Sequence, residues 1–211
     1  MKSTSSVKVK KVETDPFSRD DQRQVKVDAI VAAAARLIHD HGVSGTSLDD
    51  VADALGVTKP SVYYYVKNKE ELVYLCHMRI VERQSNAINI ALSTEGSGAE
   101  KVKAFIKSYA AFVWAPDSGL PRLWQDTTLK PKKRKAVNKA YFAEADRLIE
   151  IINNGISDGS LYPHDAEVME RALLSSILWV PIWYSAKMAA YDEESLLAEL
   201  MNIFFNGISP K

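Results

Sequence analysis

A single cysteine, Cys76, stands in the 211 residues, so no disulfide framework can form within the chain, and the composition suits a reducing cytoplasm. Histidine is almost as scarce. The four are scattered, and the one close pair, His39 and His41, is spaced so that the rings leave a helix on different sides, which argues against a metal site. No glycine-rich loop leads into a helix, which removes a phosphate cradle and a dinucleotide fingerprint. No nucleophile stands beside a base, so neither catalysis nor a cofactor is expected. No apolar run reaches the length of a membrane span, and residues 1–14 are polar and lysine-rich where a signal peptide would be apolar, so no membrane partner is expected. Net charge is absent as well: 27 basic residues balance 27 acidic ones. Affinity for a polyanion therefore has to come from a local patch rather than from bulk charge.

What the chain does have is 46% apolar residues, enough for a sizeable core, arranged with helical periodicity almost throughout. The spacing predicts an all-α protein with an N-terminal three-helix unit and a larger helical body. Residues 1–24 read as a flexible basic tail, whose Lys8, Lys10 and Lys11 form a possible arm for a minor groove. Val27, Ile30, Val31, Ala34, Leu37 and Ile38 then mark one face of a long helix ending near Gly42.

The stretch Gly45–Lys69, GTSLDDVADALGVTKPSVYYYVKNK, carries the densest set of signals. Ser47 precedes Asp50 by three residues, the spacing of a capping box, with Thr46 and Asp49 as the alternative frame. Leu48, Val51, Ala52 and Leu55 share a face, and Gly56 suits the positive φ that often follows a helix. Thr58 is an N-cap residue for a second short helix, about Lys59 to Tyr65, with Pro60 in its first turn where a missing N–H costs nothing. So short a helix must be held by burying Val62 and Val66. That leaves Lys59, Pro60, Ser61, Tyr63, Tyr64 and Tyr65 at its N-terminal half and outer side, groups suited to guanine edges, thymine methyls and phosphate oxygens. Asn68 with Glu71 caps the next helix, and Lys67 and Lys69 stand where a phosphate backbone would pass. The pattern reads as a helix-turn-helix spanning residues 25–72. The candidate DNA-facing set is Thr46, Ser47, Thr58, Lys59, Pro60, Ser61, Tyr63, Tyr64, Tyr65, Lys67 and Lys69.

Within it, Ala52 to Leu72, ADALGVTKPSVYYYVKNKEEL, resembles the DNA-binding signature of the tetracycline repressor family of bacterial transcription regulators. The resemblance implies that Lys59, Pro60 and Tyr63 reach base edges or their methyls, and that Ser47, Ser61, Tyr63, Tyr65 and Lys69 meet phosphates. Many members have Gly, Ala or Ser at the position of Pro60 and His at that of Tyr65, so base preference does not carry over. The resemblance further implies a homodimer on a double-stranded DNA operator and release by a small organic effector.

Residues 73–211 read as the helical ligand-binding and dimerisation body. A helix from Asn68 to about Leu92 has apolar positions that outlast one small domain, which makes it the physical link between the two parts. Tyr109, Phe112, Trp114, Arg122, Trp124, Gln125, Tyr141, Trp179 and Trp183 come from several segments that must converge, and they form the candidate ligand set. The run Lys130–Lys135, KPKKRK, reads as a solvated helix start opened by Pro131, and Gly155 and Gly159 as the end of that helix. The helices near 165–187 and 193–206 are apolar on nearly every side, which asks for a second surface. Ala172, Leu173, Ser176, Ile177, Val180, Leu197, Leu200 and Phe204 are the candidate dimer contacts, and Pro181 predicts a kink. A non-catalytic carrier of an apolar ligand, with its tyrosines merely on the surface, is the rival class.

Overall fold

The computed structural model describes residues 19–115, 118, 123, 127–184 and 191–207. The lysines of the expected arm, and Arg122, Trp124 and Gln125, lie outside them. Among the described residues there are eight helices and no strand: α1 (Arg19–His41), α2 (Leu48–Leu55), α3 (Lys59–Tyr65), α4 (Lys69–Ser93), α5 (Gly98–Val113), α6 (Pro131–Ser157), α7 (Ala166–Trp183) and α8 (Glu193–Asn206). Helix α1 starts inside the stretch read as tail. It buries Ile30, Val31, Ala34 and Ile38 and ends at Gly42, whose φ of 73° is left-handed.

The turns around α2 and α3 are built by their own sequence. The Ser47 hydroxyl accepts from Asp50 N, while Asp50 Oδ2 accepts from Ser47 N at 2.7 Å. The Ser47 hydroxyl, which also donates to Asp50 Oδ2 at 2.7 Å, and then the Ser47 N–H hold the Asp50 carboxyl below the ordinary aspartate value. Gly56, at φ 65°, returns its N–H to Ala52 and Asp53 carbonyls and so closes α2. Seven residues cannot hold a helix in water. Val62 and Val66, 1% and 0% exposed, fasten α3 to the core shared by α1, α2 and the start of α4.

Helix α4 runs through both parts without a break. Its first turns bury Leu72, Val73 and Cys76 in the N-terminal core, and Ile80, Ala87, Ile88 and Ala91 meet the body formed by α5, α6 and α7. Burial pushes the Cys76 thiol up to about 12, so it behaves as a small apolar group rather than a nucleophile.

Gly155 does not end α6, as its type suggests, but lies two residues short of the helix end where α5 crosses it. A Cβ on Gly98 would stand 2.2 Å from the Gly155 Cα. The close approach lets Gly98 N donate to Asp158 Oδ2 at 2.7 Å and Ala99 N to Ser160 Oγ at 2.9 Å, which satisfies two donors of the α5 terminus that have no partner within the helix. Gly98→Ala is therefore expected to destabilise the fold by roughly 1–3 kcal/mol, the usual cost of overpacking. Urea denaturation checks this, and an unchanged midpoint would show that the crossing relaxes freely.

Helix α7 corrects the reading of greasiness on all sides. It has two distinct stripes: Ala166, Glu170, Leu173, Ile177 and Val180 are buried within the chain, and Val168, Ala172, Ser175, Trp179 and Ile182 are exposed. Leu173, Ile177 and Val180 thus face the chain's own core rather than a partner. Pro181 sits in the last turn, where little helix remains for it to kink.

Candidate nucleic-acid interface and the cavity behind it

At the start of α3, Lys59 Nζ lies 2.6 Å from Asp49 Oδ2, and Tyr63 Oη donates to Asp49 Oδ1 at 3.3 Å. One carboxylate from α2 therefore orients two of the three residues expected to reach bases. The bond raises the Lys59 ammonium above its ordinary value. Thr58 precedes α3 as its N-cap residue, but its hydroxyl makes no cap bond. It pairs at 2.8 Å with the hydroxyl of Ser61, leaving two exposed hydroxyls side by side. Pro60 is exposed beside them.

The tyrosines point in three directions. Tyr63 and Tyr64 are 46% and 75% exposed, whereas Tyr65 is half-buried with Tyr64 edge-on to it and the Arg23 guanidinium 5.7 Å from its ring centroid. Two large exposed rings on one short helix have no folding rationale and leave a surface of hydroxyls and π-faces. Lys67 is exposed, its backbone N–H held by Glu71 at 2.7 Å, and Lys69 reaches back to the Ser44 carbonyl at 3.1 Å. Ser47 stands exposed at the start of α2. Lys59 and Tyr63 meet at Asp49, while Ser61, Tyr64 and Tyr65 line a groove against Lys26, Ala29 and Ile30 of α1, and the departure from the exposed set is Thr46. It is 2% exposed and its hydroxyl donates to the Gly42 carbonyl at 2.9 Å, because the turn out of α1 needs that acceptor satisfied.

Behind this unit a cavity of about 460 Å³ opens between α4, α5, α6 and α7. Of the expected ligand set, Tyr109 and Tyr141 line it. Burial raises both phenols well above the ordinary tyrosine value, so they act as neutral donors. Phe112 packs at the side of Tyr109, ring centroids 6.4 Å apart, and Trp114 spends its indole N–H on the Ile177 carbonyl at 3.0 Å. Trp179 and Trp183 turn outward, 47% and 44% exposed, because α7 gives its inner face to Glu170, Leu173 and Ile177. Sequence reading missed Gln84, Phe142 and Glu170, which line the cavity. Glu170 was detectable: it is the one charged residue on the stripe 166, 170, 173, 177, 180. Asp49 was not, since its partners lie 10 and 14 residues away across a turn.

Of the expected dimer contacts, Ala172 and Phe204 are exposed, while Ser176, Leu197 and Leu200 are half-buried. The Ser176 hydroxyl bonds the Ala172 carbonyl at 2.8 Å. Val168, Trp179, Ile182, Trp183, Ile203 and Phe204 together leave α7 and α8 with far more exposed apolar surface than their own core requires.

A helix-turn-helix carried on one long helix that also walls a cavity defines a ligand-responsive, DNA-binding regulator of transcription. The family described as bacterial regulatory proteins, tetR family, matches residues 30–74, and the tetracyclin repressor-like C-terminal domain matches residues 95–208. The chain belongs to the tetracycline repressor family. Among its curated relatives, the transcriptional activator FasR of Mycolicibacterium smegmatis is 22% identical over 90% of this chain and 84% of that protein. The transcriptional repressor KstR2 of the same species is 25% identical over 74% and 78%. Among solved structures, PfmR from Thermus thermophilus superimposes with a TM-score of 0.75, 22% identity, and coverage of 86% of this chain and 99% of that one. AibR, solved in complex with isovaleryl coenzyme A and operator DNA, gives 0.73 at 22% identity, covering 85% and 98%. No described helix is long and apolar enough to cross a membrane.

Proposed function

We propose that the chain represses transcription as a two-fold homodimer on a palindromic operator and leaves the operator when a small organic ligand enters the cavity. The observation that carries this reading is the continuity of α4, which holds Lys69 at the DNA-facing end and Gln84 in the cavity wall. Lys59, Pro60 and Tyr63 contact bases, and Ser47, Ser61, Tyr63, Tyr65 and Lys69 contact phosphates. Thr58, Tyr64 and Lys67 border that surface. The two recognition helices meet successive major grooves, about 34–36 Å apart, which a two-fold pairing through the exposed face of α7 and α8 would set. Repression is the reading that KstR2 favours, while FasR favours activation.

The test is a mobility shift on the DNA upstream of the chain's own gene, with and without ligand. Ligand is expected to lower operator affinity by about 5- to 150-fold, and operator to weaken ligand binding by the same factor, since coupling is reciprocal. Ligand that binds in the cavity with operator affinity unchanged would rule out the switch. No shift on upstream DNA, with ligand still bound, would favour the carrier.

A further inference from the structure

The cavity's polar end is acidic. Glu170 is 4% exposed, stands on the inward stripe of α7, and its carboxyl accepts no hydrogen bond from the described residues. Asp146 from α6 and Glu167 from α7 line the same space, against one cation, Arg171, which is itself 4.0 Å from Glu167. The rings of Tyr109, Tyr141 and Phe142, from α5 and α6, line the same cavity. A carboxyl set on the cavity wall with no described donor beside it is open to a partner that enters the cavity.

We propose that the ligand is a hydrophobic organic cation, an amine or quaternary ammonium, whose head is held by Glu170 beside Tyr109 and Tyr141 and whose tail lies along Phe142, Leu174 and Leu178. This rests on the effector reading above and names the ligand's class. An acid or a phosphate-bearing thioester would bring negative charge to a space lined by Asp146, Glu167 and Glu170, with Arg171 as the one cation in that lining. A cation gains both from the carboxylate and from the aromatic faces. Burial holds Glu170 toward its neutral form, with Asp146 and Glu167 adding to that tendency and Arg171 opposing it. The phenols of Tyr109 and Tyr141, the amides of Gln84 and Asn138 and the hydroxyl of Ser175 are the other polar groups that line the cavity. An arriving cation reverses the balance, and the Glu170 proton leaves to solvent.

The test is a series with one tail and four heads: decyltrimethylammonium, decanol, decanoate and decanoyl coenzyme A. Binding is followed by calorimetry and operator release by mobility shift, with the intact protein, Glu170→Gln, and Asp146→Asn at the exposed mouth. The cation is expected to bind about tenfold or more tighter than the alcohol, on the scale of a desolvated cation–π contact, and the two negative heads more weakly than the alcohol. Glu170→Gln should remove most of the preference for the cation and leave the alcohol unchanged, and Asp146→Asn should reduce it by a smaller factor. Equal or tighter binding of decanoate or its thioester, or a preference for the cation that survives Glu170→Gln, overturns the assignment. If all four heads bind alike and release DNA, the switch stands and the cation class falls. If the cation binds through Glu170 without releasing DNA, the class stands and the switch falls. If none binds, both fall.

Discussion

Trp179→Glu combined with Ile203→Glu is expected to give a folded monomer that no longer recognises its operator. Both side chains are nearly half exposed, 47% and 49%, so a charge at either costs the isolated chain little. In a dimer formed through the outer face of α7 and α8 the same charges would be buried without partners, which is strongly destabilising. A lone recognition helix touches one half-site, so affinity should fall to the level of random DNA, a loss of about 10³-fold or more. Sedimentation equilibrium with a mobility shift reads both effects. Leu173→Glu makes the contrast: at 4% exposure it drives a charge into the chain's own core and should yield insoluble protein instead. A double variant that still sediments as a dimer, or an unmodified protein that is monomeric at micromolar concentration, would refute this arrangement.

Substitutions on the DNA-facing side should separate into two kinds. Lys59→Ala is expected to cost about 1–3 kcal/mol on the preferred site and to relax one base position, while affinity for random DNA barely changes. Lys69→Ala and Tyr63→Ala should weaken binding to every sequence. For Lys69 the slope of log K against log salt should flatten by roughly 0.9, one phosphate contact's worth. Asp49 is the informative neighbour. It anchors both Lys59 and Tyr63, so Asp49→Asn frees the lysine from its ion pair and should raise affinity for random DNA at the expense of discrimination. Uniform losses across specific and random DNA for all four variants would mean that this division of roles is wrong.

Local signals made the helix-turn-helix legible. Ser47 and Asp50, Gly56, Pro60 and Asn68 each act within four residues of their own position, and the capping, turn and burial they imply are those found. Thr46 went astray because its role depends on the carbonyl at the end of α1, which a periodicity within α2 does not contain. The cavity was half legible. Tyr109 and Tyr141 stand out in the sequence as aromatics, whereas Glu170 is visible only once the two stripes of α7 are told apart. That separation also decides which of Leu173, Ile177, Trp179 and Trp183 face inward. An apolar helix with a low contrast between its sides conceals this, because burial within the chain and burial against a partner leave the same composition. Gly155 misled for a related reason: a glycine that ends a helix and one that admits a crossing helix look the same in sequence.

Helices α4 and α6 lie like the rails of a ladder. Near the base, Glu70 of α4 takes the backbone N–H of Lys130 at 3.1 Å, and the Lys133 ammonium sits 5.5 Å from the Tyr74 ring centroid. Near the top, the guanidinium of Arg147 reaches Ser85 at 2.9 Å and Asn89 at 2.5 Å. The rings of Tyr141 and Phe142 open onto the cavity between these two sets of rungs. A beam pinned at both ends and loaded at mid-span does not slide; it bows, and its ends rotate. Helix α4 is 25 residues, or about 37 Å, long. A small rotation at the base would carry the far edge of the DNA-facing unit further than the base itself moves. On the proposed two-fold reading, a bulky guest in the middle becomes an angular error at the foot, and a groove that must be met at two places tolerates angular error poorly.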